Sequence, residues 1–394
     1  MKVPSRILPV IVFAQFCCTS LWFAGNAVMP DLFAEFGLSS NALGHLTSAV
    51  QFGFITGTLT FAFLTISDRF SPSKVFLICA LLGGIINLGT LLESNGLYSL
   101  ILFRFLTGFS LAGIYPVGMK IAADYFDKGL GRSLGYLVGA LVLGTAFPHL
   151  LKKISGIIEL EWRSVIYFTS ALASIGGFLI YFLVPDGPYR SKRQKPDLSL
   201  IFKVFKNNDF RSAAFGYFGH MWELYAFWAF VPVILAFYKN MHPEANFSIA
   251  FISFLVIGLG GVACVIGGYI SEKVGVKKTA GFSLFLSGSC CLISPFIFFM
   301  DSEILLIGFL IFWGLVVVAD SPLFSTLVAK NAEAESRGTA LTIVNCVGFS
   351  ITIFSIQLLN YFDGILSPAF LFIFLSIGPV FGLIGLFRKP KLKG

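Results

Sequence analysis

The sequence predicts an all-α polytopic membrane protein whose twelve transmembrane helices form two six-helix bundles related by a pseudo-two-fold repeat. Composition, the length of the apolar runs and a duplication of polar markers support this fold class. Hydrophobic residues make up 56% of the 394 residues and charged residues only 12%, which is too little charge to cover the surface of a soluble domain. Apolar runs of roughly 18–25 residues, the length that a bilayer core requires, recur along the whole chain.

Twelve such runs follow one another along the chain. Their approximate bounds are 7–33, 45–66, 75–92, 97–123, 133–154, 163–184, 212–237, 247–270, 279–300, 304–328, 338–359 and 367–387. Most of them lack the amphipathic stripe of a soluble helix, as expected where lipid covers the outer faces. Because no small-residue cleavage site follows the first run, we expect it to be retained as a helix.

The distribution of cations predicts the orientation. With both termini in the cytoplasm, 22 of the 28 Lys and Arg residues fall in the inside segments, as the positive-inside rule requires. The net charge of +8 therefore indicates topology and contact with anionic lipid headgroups, and we expect no nucleic-acid partner. No CxxC pair suggests a disulfide or a zinc site. We predict a monomeric, multi-pass protein of the cytoplasmic (inner) membrane.

One long polar stretch divides the twelve runs six to six. It reads PDGPYRSKRQKPDLSLIFKVFKNNDFR at 185–211, and the apolar face of its segment 198–205 predicts a short interfacial helix. The predicted domains are an N-terminal six-helix bundle at 1–184, a cytoplasmic linker at 185–210 and a C-terminal six-helix bundle at 211–394.

Polar markers recur at a nearly constant offset in the two halves. SDRFSPSK at 67–74 follows span two, and SEKVGVKK at 271–278 follows span eight. Pro116 in span four and Pro322 in span ten are 206 positions apart. Offsets of 202 to 205 separate three further pairs: Pro30 and Pro232, Asp68 and Glu272, and Arg132 and Arg337. Parallel repeats of six helices are typical of transporters that rock two halves about a midplane site.

These features resemble the major facilitator superfamily over nearly the whole chain. That family carries the pattern G-x-x-x-D-R-x-G-R-R/K after its second span and a looser copy after its eighth. The second copy here is matched by Gly268, Glu272, Lys273, Gly275, Lys277 and Lys278, whereas the first retains Asp68, Arg69 and Lys74. The duplicated placement of charges at helix ends predicts a cytoplasmic gate. Its expected members are Asp68, Arg69, Arg132, Glu272, Lys273 and Arg337.

Spans four and five carry further parts of the resemblance. Arg104 occupies the arginine of the span-four pattern L-x-x-x-R-x-x-Q-G-x-G-x-A, with Thr107 in place of Gln. Span five has Gly144 followed by Thr145, where proton-coupled drug exporters usually have Gly-Pro. Lys120, near the inner end of span four, is expected to extend its ammonium group to the cytoplasm. The resemblance implies that spans one, four, seven and ten line a central cavity.

Three charged side chains lie deep in the predicted bilayer, on the spans expected to line that cavity. They are Arg104 in span four, Glu223 in span seven and Asp320 in span ten. At about 1.5 Å per residue, both carboxylates lie roughly 15–18 Å from the cytoplasmic edge. An ionisable group there costs several kcal/mol unless it faces a cavity or a partner. Helical spacing places Tyr115 on the face of Arg104, and Trp313 on the face of Asp320.

The chemistry of these side chains predicts their roles. We expect Arg104 to bind an anionic group of the substrate, with an ion pair to Glu223 or Asp320 as the alternative. A desolvated Glu223 or Asp320 could load and release a proton, and His220 could shuttle that proton or orient Glu223. The predicted substrate-binding residues are Arg104, Tyr115, Glu223, Asp320, Trp22, Asn26, Tyr225 and Trp313. Trp222, Trp228 and Asn345 are further pocket candidates, although packing is the competing explanation for each aromatic residue.

We therefore predict a secondary active transporter that moves a small, anionic organic solute by alternating access. We expect proton symport, no cofactor, and the proton gradient as the energy source. Efflux of amphipathic or drug-like compounds is one alternative, and carriage of a metal or metal chelate by His220, Glu223 and Asp320 is another. No signalling domain supports a receptor, and the lack of a P-loop, a nucleophile elbow or an HExxH motif argues against an enzyme.

Overall fold

The structure, a computed structural model, describes residues 4–126, 130–190, 204–333 and 337–388, and these ranges are almost entirely helical. In the first half the helices are Ile7–Thr19, Ala24–Ala27, Met29–Phe36, Ala42–Phe63, Ile66–Arg69, Pro72–Leu88, Leu97–Leu111, Tyr115–Tyr125, Leu130–Ile157 and Arg163–Leu183, with a 3-10 turn at Gly89–Leu91. In the second half they are Asn208–Met241, Ile249–Gly258, Gly260–Val274, Val276–Phe298, Glu303–Ala319, Ser321–Asn331, Arg337–Phe362 and Ile377–Phe387, with a 3-10 helix at Pro368–Ser376. Most of the predicted interfacial helix lies outside the described residues.

The first predicted span is not one continuous helix. Helix Ile7–Thr19 ends before a non-helical segment at 20–23, and two short helices follow. Its counterpart in the second half, Asn208–Met241, is continuous although Pro232 lies inside it. Within the described ranges eleven helical stretches are long and apolar enough to cross a membrane, and Ile7–Thr19 is a shorter apolar helix. The count of twelve spans, the cytoplasmic placement of both termini and the domain bounds stay predictions.

Spans four and ten break at equivalent places. Span four changes from Leu97–Leu111 to Tyr115–Tyr125, and span ten changes from Glu303–Ala319 to Ser321–Asn331. Pro116 is the second residue of helix Tyr115–Tyr125, and Pro322 is the second residue of helix Ser321–Asn331. Proline is tolerated in a first helical turn because its missing N–H would have no helical acceptor there. The sequence repeat is therefore also a repeat of helix breaks.

Two pairs of spans connect the halves. At the ends of spans two and eleven that are predicted to lie outside, Asn360 Oδ1 accepts a hydrogen bond from the backbone N–H of Gly44 (3.1 Å). Gln357 Nε2 donates to the carbonyl of Gly44 (3.0 Å). Spans five and eight approach each other where Gly139 lies against the backbone of Gly261. Hydrogen bonds thus join the predicted outer ends of the two halves.

Glycine permits the closest helix crossing within each half. A Cβ atom added to Gly108 in span four would lie 2.0 Å from the carbonyl oxygen of Val50 in span two. One added to Gly314 in span ten would lie 2.0 Å from the carbonyl oxygen of Val256 in span eight. Each residue of the second contact lies 206 positions after its equivalent in the first. Because the obstacle is backbone in both cases, neither crossing can accept a side chain unless a helix moves.

We expect Gly108→Ala to lower the free energy of unfolding by about 3 kcal/mol, because the added methyl group must push spans two and four apart. Thermal unfolding of the purified protein in detergent measures the effect. Gly156→Ala is the matched control, since a Cβ at that helical position meets nothing within 4 Å. Equal melting temperatures for the two variants would contradict this packing.

Candidate functional site

Arg104 supports the broken part of span one. Its side chain is only 2% exposed, and its Nη1 donates to the carbonyl of Leu21 (3.1 Å) while Nη2 donates to the carbonyl of Trp22. Both carbonyls lie in the segment at 20–23, where the interruption of the helix deprives backbone groups of their regular partners. The guanidinium supplies donors to them, and this contact holds the irregular backbone in place.

No carboxylate pairs with Arg104 within the described part of the chain. The alternative considered from the sequence, an ion pair with Glu223 or Asp320, is therefore not formed. Carbonyl oxygens satisfy the N–H groups of a guanidinium but do not neutralise its charge. Among the described residues the buried charge of Arg104 consequently has no counter-ion, and its Nε has no hydrogen-bond partner there.

The carboxylate of Glu223 is buried inside the second half. It accepts hydrogen bonds from Trp313 Nε1 (2.7 Å), Ser287 Oγ (2.8 Å) and Cys291 Sγ (3.4 Å). The donors lie on spans nine and ten, so Glu223 ties span seven to both of them. Ser287 and Cys291 were not predicted, although their spacing of four residues places both on one face of span nine.

His220 contacts Asp320 rather than Glu223. Its Nδ1 lies 2.9 Å from Oδ1 of Asp320, and both side chains are buried. The two atoms are within ion-pair distance but do not have the angles of a hydrogen bond. Neither Nε2 of His220 nor Oδ2 of Asp320 has a hydrogen-bond partner in the part of the chain that the structure describes. The contact is therefore a close approach of two titratable groups, and described residues satisfy neither side chain by hydrogen bonds.

Asp320 is positioned by the break in span ten. It is the residue between the two helices, and its backbone carbonyl accepts hydrogen bonds from the N–H groups of Leu323 and Phe324, both at 2.9 Å. Its side chain therefore projects from the start of a new helix toward span seven. Trp313 and Asp320 were predicted to share a face of span ten, and both contact span seven. Trp313 contacts Glu223, and Asp320 contacts His220.

The three residues considered as metal ligands are not brought together. Glu223 is held by donors from spans nine and ten, whereas His220 and Asp320 contact each other. The described residues contain no group of three or more His, Cys, Asp or Glu side chains that could hold a metal ion. The geometry therefore gives the metal-carrier alternative no support.

Five aromatic rings, which we call the aromatic cluster, connect the two halves. The cluster consists of Trp22, Phe54, Tyr225, Trp228 and Phe349, all buried. The ring of Trp22 lies 5.8 Å from Tyr225 and 5.7 Å from Phe349, with interplanar angles of 26° and 25°. Its centroid lies 4.9 Å from Phe54, and Trp228 lies 5.3 Å from Tyr225. Phe54 and Phe349 were not predicted, because nothing in the sequence distinguishes them among 46 phenylalanines.

Three further residues of the predicted pocket are Asn26, Tyr115 and Trp313. Asn26 donates to Thr47 Oγ1 (2.8 Å) in span two. Tyr115 is the first residue of the helix that follows the break of span four. The ring of Trp313 stacks on Phe227 at 4.4 Å.

One acid of the predicted cytoplasmic gate is paired. Asp68 Oδ1 lies 2.8 Å from Nζ of Lys120, so this lysine, expected only to extend into the cytoplasm, connects span four to the segment after span two. Arg190 also contacts this segment by donating to the backbone carbonyls of Asp68 and Phe70. These contacts stay within the first half.

The other members of the predicted gate are not brought together. Arg69, Glu272 and Lys273 are exposed and form no ion pair with another described residue. The side chains of Arg132 and Arg337 lie outside the described residues. Their role in a gate stays a prediction.

The sequence model of the Major Facilitator Superfamily matches residues 11–356. The chain therefore belongs to this superfamily of membrane transporters: it is an integral, multi-pass membrane protein that transports a solute, and it is not an enzyme.

The chain is similar in sequence to several transporters. The chain is 24% identical over 307 residues to the probable sulfoacetate transporter SauU of Cupriavidus necator, covering 70% of this chain and 68% of that protein. It is 30% identical over 198 residues to the sialic acid transporter NanX of Escherichia coli, covering 48% and 47%. Its fold matches the crystal structure of the nucleoside transporter NupG with a TM-score of 0.71 and 16% identity, over 97% of this chain and 99% of that one.

Proposed function

We propose that this transporter carries a small organic anion and that Arg104 binds its anionic group. The supporting observation is the buried guanidinium, which has carbonyl partners but no carboxylate partner among the described residues. A buried cation without a counter-ion attracts an anion strongly, and the planar fork of arginine suits a carboxylate or a sulfonate. The carbonyls of Leu21 and Trp22 hold this fork in position before the substrate arrives. SauU and NanX are, by their names, transporters of anions.

We also propose that transport is coupled to protons and that the contact between His220 and Asp320 carries the proton. The contact is buried and joins spans seven and ten. Glu223 is the less suitable group because three donors already occupy its carboxylate. Adding a proton to the pair would change the attraction between the two spans. Tyr225, five residues after His220 on the same helix, would pass that change to the aromatic cluster. Different affinities of proton and substrate for the two states of the carrier would provide the coupling.

A thermal-stabilisation screen tests the role of Arg104. Purified wild type and Arg104→Ala are melted in parallel with sulfonates, sugar acids, aromatic and aliphatic carboxylates, and neutral analogues of each. We expect anions to raise the melting temperature of the wild type and to have no such effect on Arg104→Ala.

Arg163→Ala is the matched control. Arg163 is a partly exposed arginine of the same half that pairs with Glu35 and Glu161 at the predicted outer surface. This variant should respond to anions as the wild type does. Anions that stabilise Arg104→Ala as strongly as the wild type would overturn the assignment of Arg104.

A further inference from the structure

Three buried N–H groups around Trp22 have no hydrogen-bond acceptor in the described ranges. They are Nε1 of Trp22, Nε1 of Trp228 and Nε of Arg104. A buried donor without a partner costs about 1–3 kcal/mol, and native proteins satisfy most such groups. Arg104 contacts Trp22 through its backbone carbonyl, and Trp228 contacts Tyr225, which stacks on Trp22. A ligand that binds beside Trp22 and offers acceptors would satisfy these three groups.

Trp22 joins the buried charge to the aromatic cluster. Its backbone carbonyl accepts a hydrogen bond from Arg104, while its indole ring is nearly parallel to Tyr225 and Phe349 of the opposite half. An anionic group on Arg104 would therefore lie about one side-chain length from a set of stacked rings. That separation suits a compact molecule whose anionic group is attached directly to a flat ring.

Stacking explains how such a ring would enter the cluster. In this structure Trp22 meets the rings of the second half directly, at centroid distances of 5.7 to 5.8 Å. If the halves separated by about the thickness of one ring, roughly 3.5 Å, a substrate ring could contact Trp22 on one face and Tyr225 or Phe349 on the other. It would replace one stacking contact with two, and parallel aromatic pairs prefer such offset stacking.

We propose that the transported anion is aromatic. Its carboxylate or similar group binds Arg104, its ring stacks between Trp22 and the rings of Tyr225 and Phe349, and acceptor substituents on the ring receive the N–H groups of Trp22 and Trp228. This inference rests on the proposed function, because it requires an anionic group on Arg104. The substrate then contacts rings from both halves, so its binding favours a state in which the halves lie about one ring thickness further apart than in this structure.

Binding of a small panel to the purified full-length protein tests this inference. The probes are 4-hydroxybenzoate, benzoate, its saturated analogue cyclohexanecarboxylate, the neutral benzyl alcohol and the non-aromatic anion sulfoacetate. Quenching of tryptophan fluorescence and thermal stabilisation report binding. We expect benzoate to bind about tenfold more tightly than cyclohexanecarboxylate, 4-hydroxybenzoate to bind more tightly still, and benzyl alcohol to bind at least a hundredfold more weakly than benzoate.

Two substitutions on one helix provide a matched comparison. Phe349→Leu removes a ring of the aromatic cluster, whereas Phe354→Leu removes an exposed ring from the same helix, Arg337–Phe362. We expect the preference for benzoate over cyclohexanecarboxylate to fall to about twofold in Phe349→Leu and to stay near tenfold in Phe354→Leu. Tyr225→Leu, which removes the other ring that stacks on Trp22, should lower the preference in the same way and serves if Phe349→Leu does not fold.

The outcomes separate this inference from the proposed function. Equal affinity for benzoate and cyclohexanecarboxylate, with both lost in Arg104→Ala, would overturn the aromatic inference and leave Arg104 as the anion site. Binding of sulfoacetate without binding of any aromatic acid would likewise overturn the aromatic inference and leave Arg104 as the anion site. Anion binding that is unchanged in Arg104→Ala would overturn both proposals. Benzyl alcohol bound as tightly as benzoate would also overturn both and would favour efflux of amphipathic compounds.

Discussion

Asp320→Asn is expected to exchange substrate across the membrane but not to accumulate it. Asparagine cannot gain or lose a proton, so the attraction between residue 320 and His220 no longer changes with the protonation of an aspartate. The site around Arg104 lies in the other half of the protein and remains intact. A gradient of one pH unit supports about tenfold accumulation in a one-to-one symport. This ratio should fall to about one in Asp320→Asn, while counterflow of labelled substrate continues.

Uptake into proteoliposomes with an imposed pH gradient measures both quantities. A second pair of histidine and aspartate provides the control: His242 Nε2 lies 3.7 Å from Oδ1 of Asp301, which is 87% exposed. Asp301→Asn removes an exposed carboxylate from a second histidine and should accumulate substrate as the wild type does. His220→Gln should resemble Asp320→Asn, because it removes the other half of the buried contact. Undiminished accumulation by Asp320→Asn would refute the proposed proton site.

Glu223→Gln is expected to lower stability strongly while leaving accumulation coupled to protons. The carboxylate accepts three hydrogen bonds, whereas a glutamine side chain has one acceptor oxygen and an NH2 group that cannot accept. If the glutamine oxygen faces Trp313, the NH2 group replaces the oxygen that accepts from Ser287, and Ser287 Oγ keeps only the carbonyl of Leu284 as acceptor (3.2 Å). Loss of a buried hydrogen bond to a charged group costs about 2–3 kcal/mol. The melting temperature should therefore fall, because spans seven, nine and ten are no longer held together.

The comparison with a surface glutamate isolates the effect of burial. Glu303 accepts a hydrogen bond from the backbone N–H of Asn246 in an exposed loop region, so Glu303→Gln should change stability by only a few tenths of a kcal/mol. Accumulation is measured on the Glu223→Gln protein that remains folded and should respond to the pH gradient as in the wild type. A Glu223→Gln protein with normal melting behaviour and no accumulation would move the proton site from Asp320 to Glu223.

Several features of the carrier were accessible from the residues alone. The superfamily assignment follows from repeated polar markers and is confirmed by the match over residues 11–356. Pro116 and Pro322 were selected as repeat markers, and both lie in the first turn of a helix that follows a break, where the missing N–H of proline costs no helical hydrogen bond. Arg104, Glu223 and Asp320 were selected only because charge is rare in a bilayer, and all three are buried in the structure.

The partners of these side chains were not accessible in the same way. Glu223 lies one turn after His220, so sequence spacing favours their contact, yet His220 contacts a residue 100 positions away. Arg104 was considered with acidic partners, but the unforeseen break in span one offers it carbonyls instead. Phe54 and Phe349 became part of the aromatic cluster through the packing of spans two and eleven, which no local pattern encodes.

The sequence by itself determined that this chain is a duplicated helical carrier, because a bilayer imposes long apolar spans and basic inner loops that can be read residue by residue. It also determined which ionisable groups must be buried, since depth along a span follows from counting. Only the tertiary structure decided which groups meet: the carbonyls with Arg104, Asp320 with His220, and the rings of one half with those of the other. These contacts depend on how helices that are distant in sequence cross and on which face each presents to the other. A small rotation of one helix would bring a different side chain into contact.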